Sequence, residues 1–176
     1  MATRSVKKWL RMGLEVLGAV TLLAIVVLGI SVMYSGSKDR INRASRKDVA
    51  FILNWAGIST DQNYRVVSSY ESARSFTGDH LDYSCIELPR FETADPQKGD
   101  WHSGPESNPL IAEALQLALS DAHQRGTCVP AVQEANSPAM QMMFPQVLLR
   151  NGHATAADII LYDSKQRMLY YVSFKT

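Results

Sequence analysis

An α+β fold is predicted for this chain: one membrane-spanning helix, then a small domain with a mostly antiparallel sheet of four or five strands and a helix packed across one face. Three features of the 176-residue sequence carry that expectation. An apolar run extends from Val16 to Tyr34. Pro109–Arg125 carries one continuous apolar stripe at helical spacing. Several short segments alternate with period two between turn signals.

The run Val16–Tyr34 has no charged residue. At about 1.5 Å per residue it is long enough to cross a hydrocarbon core roughly 30 Å thick. A cleaved signal has a shorter apolar core, about 7–15 residues, and a small-residue cut site. Here only Ser35-Gly36-Ser37 resembles one, so a retained anchor is expected. The organisation that follows is a basic cytoplasmic tail over 1–15, the transmembrane helix over 16–34, a basic juxtamembrane segment over 35–47 and an α+β domain over 48–176.

Flanking charge leaves orientation nearly balanced. Arg4, Lys7, Lys8 and Arg11 precede the span, and Lys38, Arg40, Arg43, Arg46 and Lys47 follow it. The two cysteines, Cys85 and Cys128, break the balance. A cysteine pair in a small domain fits a disulfide in an oxidising compartment. The bridge would close a loop of about 43 residues and stabilise the fold by roughly 4 kcal/mol on the chain-entropy model. The alternative is two buried thiols in a reducing compartment. The expected location is the inner membrane, single-pass, with the C-terminal domain on the periplasmic side.

Charge is distributed unevenly. From Asp48 onward there are nine Lys/Arg against fifteen Asp/Glu, a balance of 9 − 15 = −6. Positive charge gathers at 1–47, so residues 16–47 are expected to meet membrane lipid, with cations contacting anionic headgroups. On a helix, Arg40, Arg43 and Arg46 would share a face. An acidic domain lacks the basic stripe that phosphate binding needs, which excludes nucleic acid and leaves a protein as the expected partner.

The domain opens with a helix over Asp48–Ala56, in which Val49, Ile52, Leu53 and Ala56 recur at helical spacing and Gly57 supplies the stop. This helix is expected to be able to run on from the membrane helix. Tyr64–Tyr70 and Leu81–Leu88 read as strands, separated by a polar loop that closes at Gly78-Asp79. Pro89–Ser107 is rich in Pro, Gly, Asp and Ser and reads as a long surface loop. Asn108 caps the helix Pro109–Arg125, Pro109 occupies its first turn, and Gly126 is expected in the left-handed conformation at its end. Gln146–Arg150 leads into Asn151-Gly152, a two-residue hairpin signal. Ala157–Asp163 is apolar on both faces, as a central strand should be, and Arg167–Phe174 returns the chain after Ser164-Lys165-Gln166. Met140–Leu149 has some helical character, which Pro145 opposes.

No motif identifies a reaction. Asp79, His80 and Asp82 are close in sequence, and His102, His123 or His153 could join them around a metal, but metal-ligand spacing is missing. His80 or His102 could act as a base, oriented by Asp79, Asp82 or Asp100, with Ser72, Ser75 or Ser103 as nucleophile; no Gly-x-Ser-x-Gly elbow presents one. Met140, Met142, Met143 and Phe144 read as core filler in preference to a partner surface or a Cu(I) site. Arg74, Phe76, Trp101 and His102 lie in two long polar loops that each carry one aromatic residue, and form the expected binding surface. Trp101 has two readings, a cap on the core or an exposed anchor.

The function expected is that of a membrane-anchored extracytoplasmic binding protein, with no cofactor. It would belong to an envelope complex or inhibit a cationic envelope-directed protein. The alternative is a small membrane-anchored hydrolase or metal-binding protein using Asp79, His80, Asp82 and His102.

Overall fold

The computed structural model describes residues 2–36, 38–42, 44–60, 63–75, 77–91, 100–126 and 128–176. The chain divides into two compact units, Met1–Lys38 and Asp39–Thr176. The first is the helix α1 (Ala2–Gly36). Its stretch Met12–Ser31 is long and apolar enough to cross a membrane, a description that also fits a signal sequence. The side chains of that stretch are exposed, as they would be if lipid were their solvent.

The second unit begins at Asp39. Helix α1 does not continue through the basic segment. Instead Arg40–Ile41 form a short strand, β1, with Arg40 opposite Glu71 of β2 (Arg65–Glu71). Helix α2 (Arg46–Trp55) starts afresh from a capping box: the Asp48 amide donates to Ser45 Oγ and the Ser45 amide to Asp48 Oδ2. Arg40 is thus on a strand and Arg46 on a helix, stacked 5.0 Å over the Tyr64 ring. Arg43 lies outside the described residues. Gly57 ends α2 with φ +68°. The Gly57 amide donates to the Asn54 carbonyl and that of Ile58 to the Leu53 carbonyl, which satisfies two carbonyls that a helix end otherwise strands.

Among the described residues the sheet has seven strands, not four or five. β3 (His80–Glu87), β4 (His102–Ser103), β5 (Met140–Arg150), β6 (His153–Asp163) and β7 (Met168–Lys175) complete it, in the order β1-β2-β3-β7-β6-β5-β4. All neighbours are antiparallel. The two strands beyond the expected five are the edge pieces β1 and β4, two residues each. A two-residue ladder leaves no period-two pattern to read.

Asn151 and Gly152 take φ of +53° and +79°, the left-handed pair that a tight two-residue turn requires. β5 runs through Met140–Phe144 as strand. Pro145 sits in a register shift between Met143 and Gln146, where a missing N–H is tolerated.

Both faces of the sheet are covered by helices. On one, the long helix α3 (Pro109–Arg125) buries Ala114, Leu115, Ala118, Leu119 and Ala122 against Tyr83, Cys85, Met142, Ile159, Leu161, Tyr170 and Val172. On the other, α2 buries Val49, Ile52, Leu53 and Ala56 against Ile86, Met143, Ile160, Leu169 and Tyr171. The second layer explains why Ala157–Asp163 is apolar on both sides. Met140, Met142 and Met143 are buried in these two cores.

Cys85 of β3 is bonded to Cys128, just beyond α3, so the helix end is stapled to the sheet. Gly126 caps α3 in extended conformation, with φ −156° and ψ 133°, and not in the left-handed one. Its need for glycine is spatial. A Cβ there would collide with the ring and hydroxyl of Tyr83.

Candidate functional site

The α2 face is closed only in part. Asp82 is opposite Ser173 and Ser84 opposite Tyr171 in the β3–β7 ladder, with Asp158 of β6 opposite Ser173 on the other side. Alternation therefore puts His80, Asp82, Ser84, Asp158, Tyr171 and Ser173 on one face. Ser69 of β2 joins them opposite Ser84. Among the described residues the buried polar side chains are Ser69, Ser84 and Ser173, and all three lie here. A pocket of about 510 Å³ opens over this patch, bounded by Lys47 and Phe51 of α2 and by Arg74.

Hydrogen bonds run across the strands. Tyr171 donates its phenol proton to Asp158 Oδ1 at 2.8 Å. His80 Nε2 is 3.1 Å from Ser173 Oγ, and His80 Nδ1 is 2.9 Å from the Gly78 carbonyl oxygen. Arg74 Nη2 donates to Asp82 Oδ2, and the Ser72 amide donates to Asp82 Oδ1. Burial, then the adjacent Asp158 carboxylate, pushes the Tyr171 phenol well above its ordinary value, so it stays a protonated donor at any physiological pH.

Of the binding-surface residues read from sequence, Arg74 lies at this pocket. Phe76 lies outside the described residues. Trp101 is half-buried; its indole N–H donates to the Ala56 carbonyl at 3.1 Å, and it packs edge-on to Phe91 against the α2 core. His102 is exposed on β4, with Nε2 2.8 Å from Glu106 Oε2 and its ring stacked on Phe144. Trp101 and His102 are not among the pocket's lining residues.

Asp79 accepts from Thr77 Oγ1, and its amide donates to Ser75 Oγ in the turn around Gly78. His80 and Asp82 share the pocket, but His102, His123 and His153 do not join them. His123 meets the Val129 carbonyl, and His153 is 3.0 Å from Glu113. Among the described residues no group of three or more His, Cys, Asp or Glu side chains is arranged to hold a metal. Ser173 and Tyr171 escaped the sequence reading because Met168–Lys175 is buried along nearly its whole length, so no alternation marked them.

A second polar network anchors the start of the domain. Arg125 donates to Tyr70 Oη at 2.6 Å, and Tyr70 donates to Asp39 Oδ2 at 2.6 Å. The Ala73 amide donates to Asp39 Oδ1. The Tyr70 hydrogen bond, then that of Ala73, holds the Asp39 carboxyl below its ordinary value. Comparison of the chain with protein-family models, curated proteins and solved structures found no match.

Proposed function

We propose that this protein is a single-pass membrane-anchored binding protein whose domain lies on the extracytoplasmic side. It engages a protein partner through the open part of the α2 face. That open part carries the reading: it collects Arg74, His80, Asp82, Ser84 and Ser173 around one pocket. Binding sites favour concave surfaces with a few convergent polar groups. The Cys85–Cys128 bond supports an oxidising compartment. The acidic balance of Asp48–Thr176 supports a partner with a basic surface. Residues 16–47 supply the lipid contacts in this reading.

Site-specific photocrosslinking tests it. A photoreactive residue in place of Lys47, at the pocket rim, should yield one discrete protein adduct in cells, while one in place of Leu117, on the exposed side of α3, should not. Equal adducts from both positions, or none from Lys47, would reject the open face as the partner surface. The side of the membrane is tested by a membrane-impermeant maleimide. Half-buried Cys128 should react in intact cells only after reduction; reaction confined to lysed cells, without reductant, would place the domain inside.

A further inference from the structure

We infer that Ser173 and His80 form a nucleophile–base pair able to accept an acyl group from a small activated ester. This activity goes beyond partner binding and does not depend on it.

The inference starts from the proton positions. His80 Nδ1 lies 2.9 Å from the Gly78 carbonyl oxygen, which only accepts, so in the neutral ring Nδ1 carries the hydrogen. Nε2 is then left with a free lone pair. Ser173 Oγ sits 3.1 Å from that nitrogen, so with the ring neutral the serine hydroxyl can donate to it, the Tyr171 phenol being its other neighbour. This is the geometry in which an imidazole removes a serine proton. The carbonyl of Gly78 does the orienting that a carboxylate does in a full triad.

Both groups line the open pocket, and Ser173 keeps 8 % of its surface accessible. Arg74 lines the same pocket with one guanidinium nitrogen on Asp82. Its guanidinium is a positive charge that lines the pocket beside the pair. Asp82 and Asp158 are already engaged by Arg74 and Tyr171, which suits an uncharged acyl group.

The reaction balances without a further reagent. Ser173 Oγ bonds to the acyl carbon as its proton passes to His80 Nε2. The bond from that carbon to the leaving oxygen breaks, and His80 returns the proton to the departing alcohol or phenol. Water, deprotonated by His80, then attacks the acyl-serine, and its proton returns to Ser173 as the acid leaves.

The full-length protein in detergent micelles is treated with a fluorophosphonate, and the labelled peptide is identified by mass. The expected result is a single adduct on Ser173. Its rate should fall about 100-fold in His80→Gln, the scale of a lost general base. p-Nitrophenyl acetate should release one nitrophenol per chain in a burst that Ser173→Ala abolishes. Absence of any adduct on wild-type Ser173, labelling spread over several serines, or an unchanged rate in a folded His80→Gln variant would each overturn the inference. His80→Asn provides a second base-deficient variant, and retention of the Cys85–Cys128 bond and of the wild-type melting temperature identifies which variants are folded. Crosslinking from position 47 can fail while Ser173 still reacts, so the two readings fail separately.

Discussion

The face of the sheet under α3 and the face under α2 are built on the same central strands, yet they are finished differently. Under α3, apolar side chains of β3, β7, β6 and β5 meet a 17-residue helix, and a disulfide ties the helix end to β3. Under α2, a 10-residue helix meets apolar side chains around Ile86, Leu169 and Ile160, and the strands carry on as serine, histidine and aspartate where the helix no longer covers them. A short helix over a long sheet leaves surface that must be soluble. Its hydroxyls and charges then become available for chemistry. One face holds the domain together, and the other has room for a site.

The largest test of that contrast removes the staple. Cys85→Ala with Cys128→Ala should cost about 4 kcal/mol of unfolding free energy, the loop-closure value for this spacing, read by denaturant titration. A loss under 1 kcal/mol would mean that the α3 layer does not need the bond. Next, Leu53→Ala under α2 and Leu119→Ala under α3 both truncate fully buried side chains, and each should cost about 2–5 kcal/mol. If Leu53→Ala costs far less than Leu119→Ala, the α2 layer is only loosely seated and the pocket boundary with it.

A smaller effect is expected from Ser45→Ala, which removes half of the capping box of α2. It should cost about 1 kcal/mol, with faster amide hydrogen exchange in the first turn of α2 and none in α3. The smallest effect depends on pH. The folded-state pKa of Asp39 is depressed, so its contribution is present above the unfolded value and lost as pH falls through the depressed one. Wild type should therefore exceed Asp39→Asn in stability at neutral pH, and the gap should close as pH falls below the ordinary aspartate value of about 3.9 and through the depressed folded-state one. A gap independent of pH would show that the carboxylate charge is not what holds Asp39 to Tyr70.

The sequence made some of this legible and hid the rest for definable reasons. Asn108-Pro109 and Asn151-Gly152 are local signals, and the structure has a helix N-terminus and a left-handed turn there. Cys85 and Cys128 were a pair because there were no others. β3 follows from alternation, β6 and β7 from apolar runs between turn residues, and only the Gln146–Arg150 end of β5 from the hairpin signal. The strand at Arg40–Ile41 does not, since two residues have no period, and the basic residues around them invite a helix. Sequence alone points to Gly126 for its freedom of φ, whereas its constraint comes from Tyr83, 43 residues away in the chain. The site was least legible. In sequence His80 is a candidate beside Asp79, Asp82 and the serines Ser72, Ser75 and Ser103, but its partner Ser173 is separated from it by 93 residues and lies in a strand without polar alternation. Only strand pairing brings the two together.

The place of β7 in the sheet has a consequence for how the protein is made. Of the seven strands it comes last in the chain, yet it lies at the centre, between β3 and β6. Until Met168–Lys175 has been synthesised, β3 and β6 each carry a bare edge, and the two halves of the sheet have no ladder in common. Such edges invite mispairing with other chains. Cys85 and Cys128 both emerge earlier, so oxidation can fasten β3 to the end of α3 before the central strand arrives. The disulfide joins β3 to the end of α3 through residues that all precede β7 in the chain.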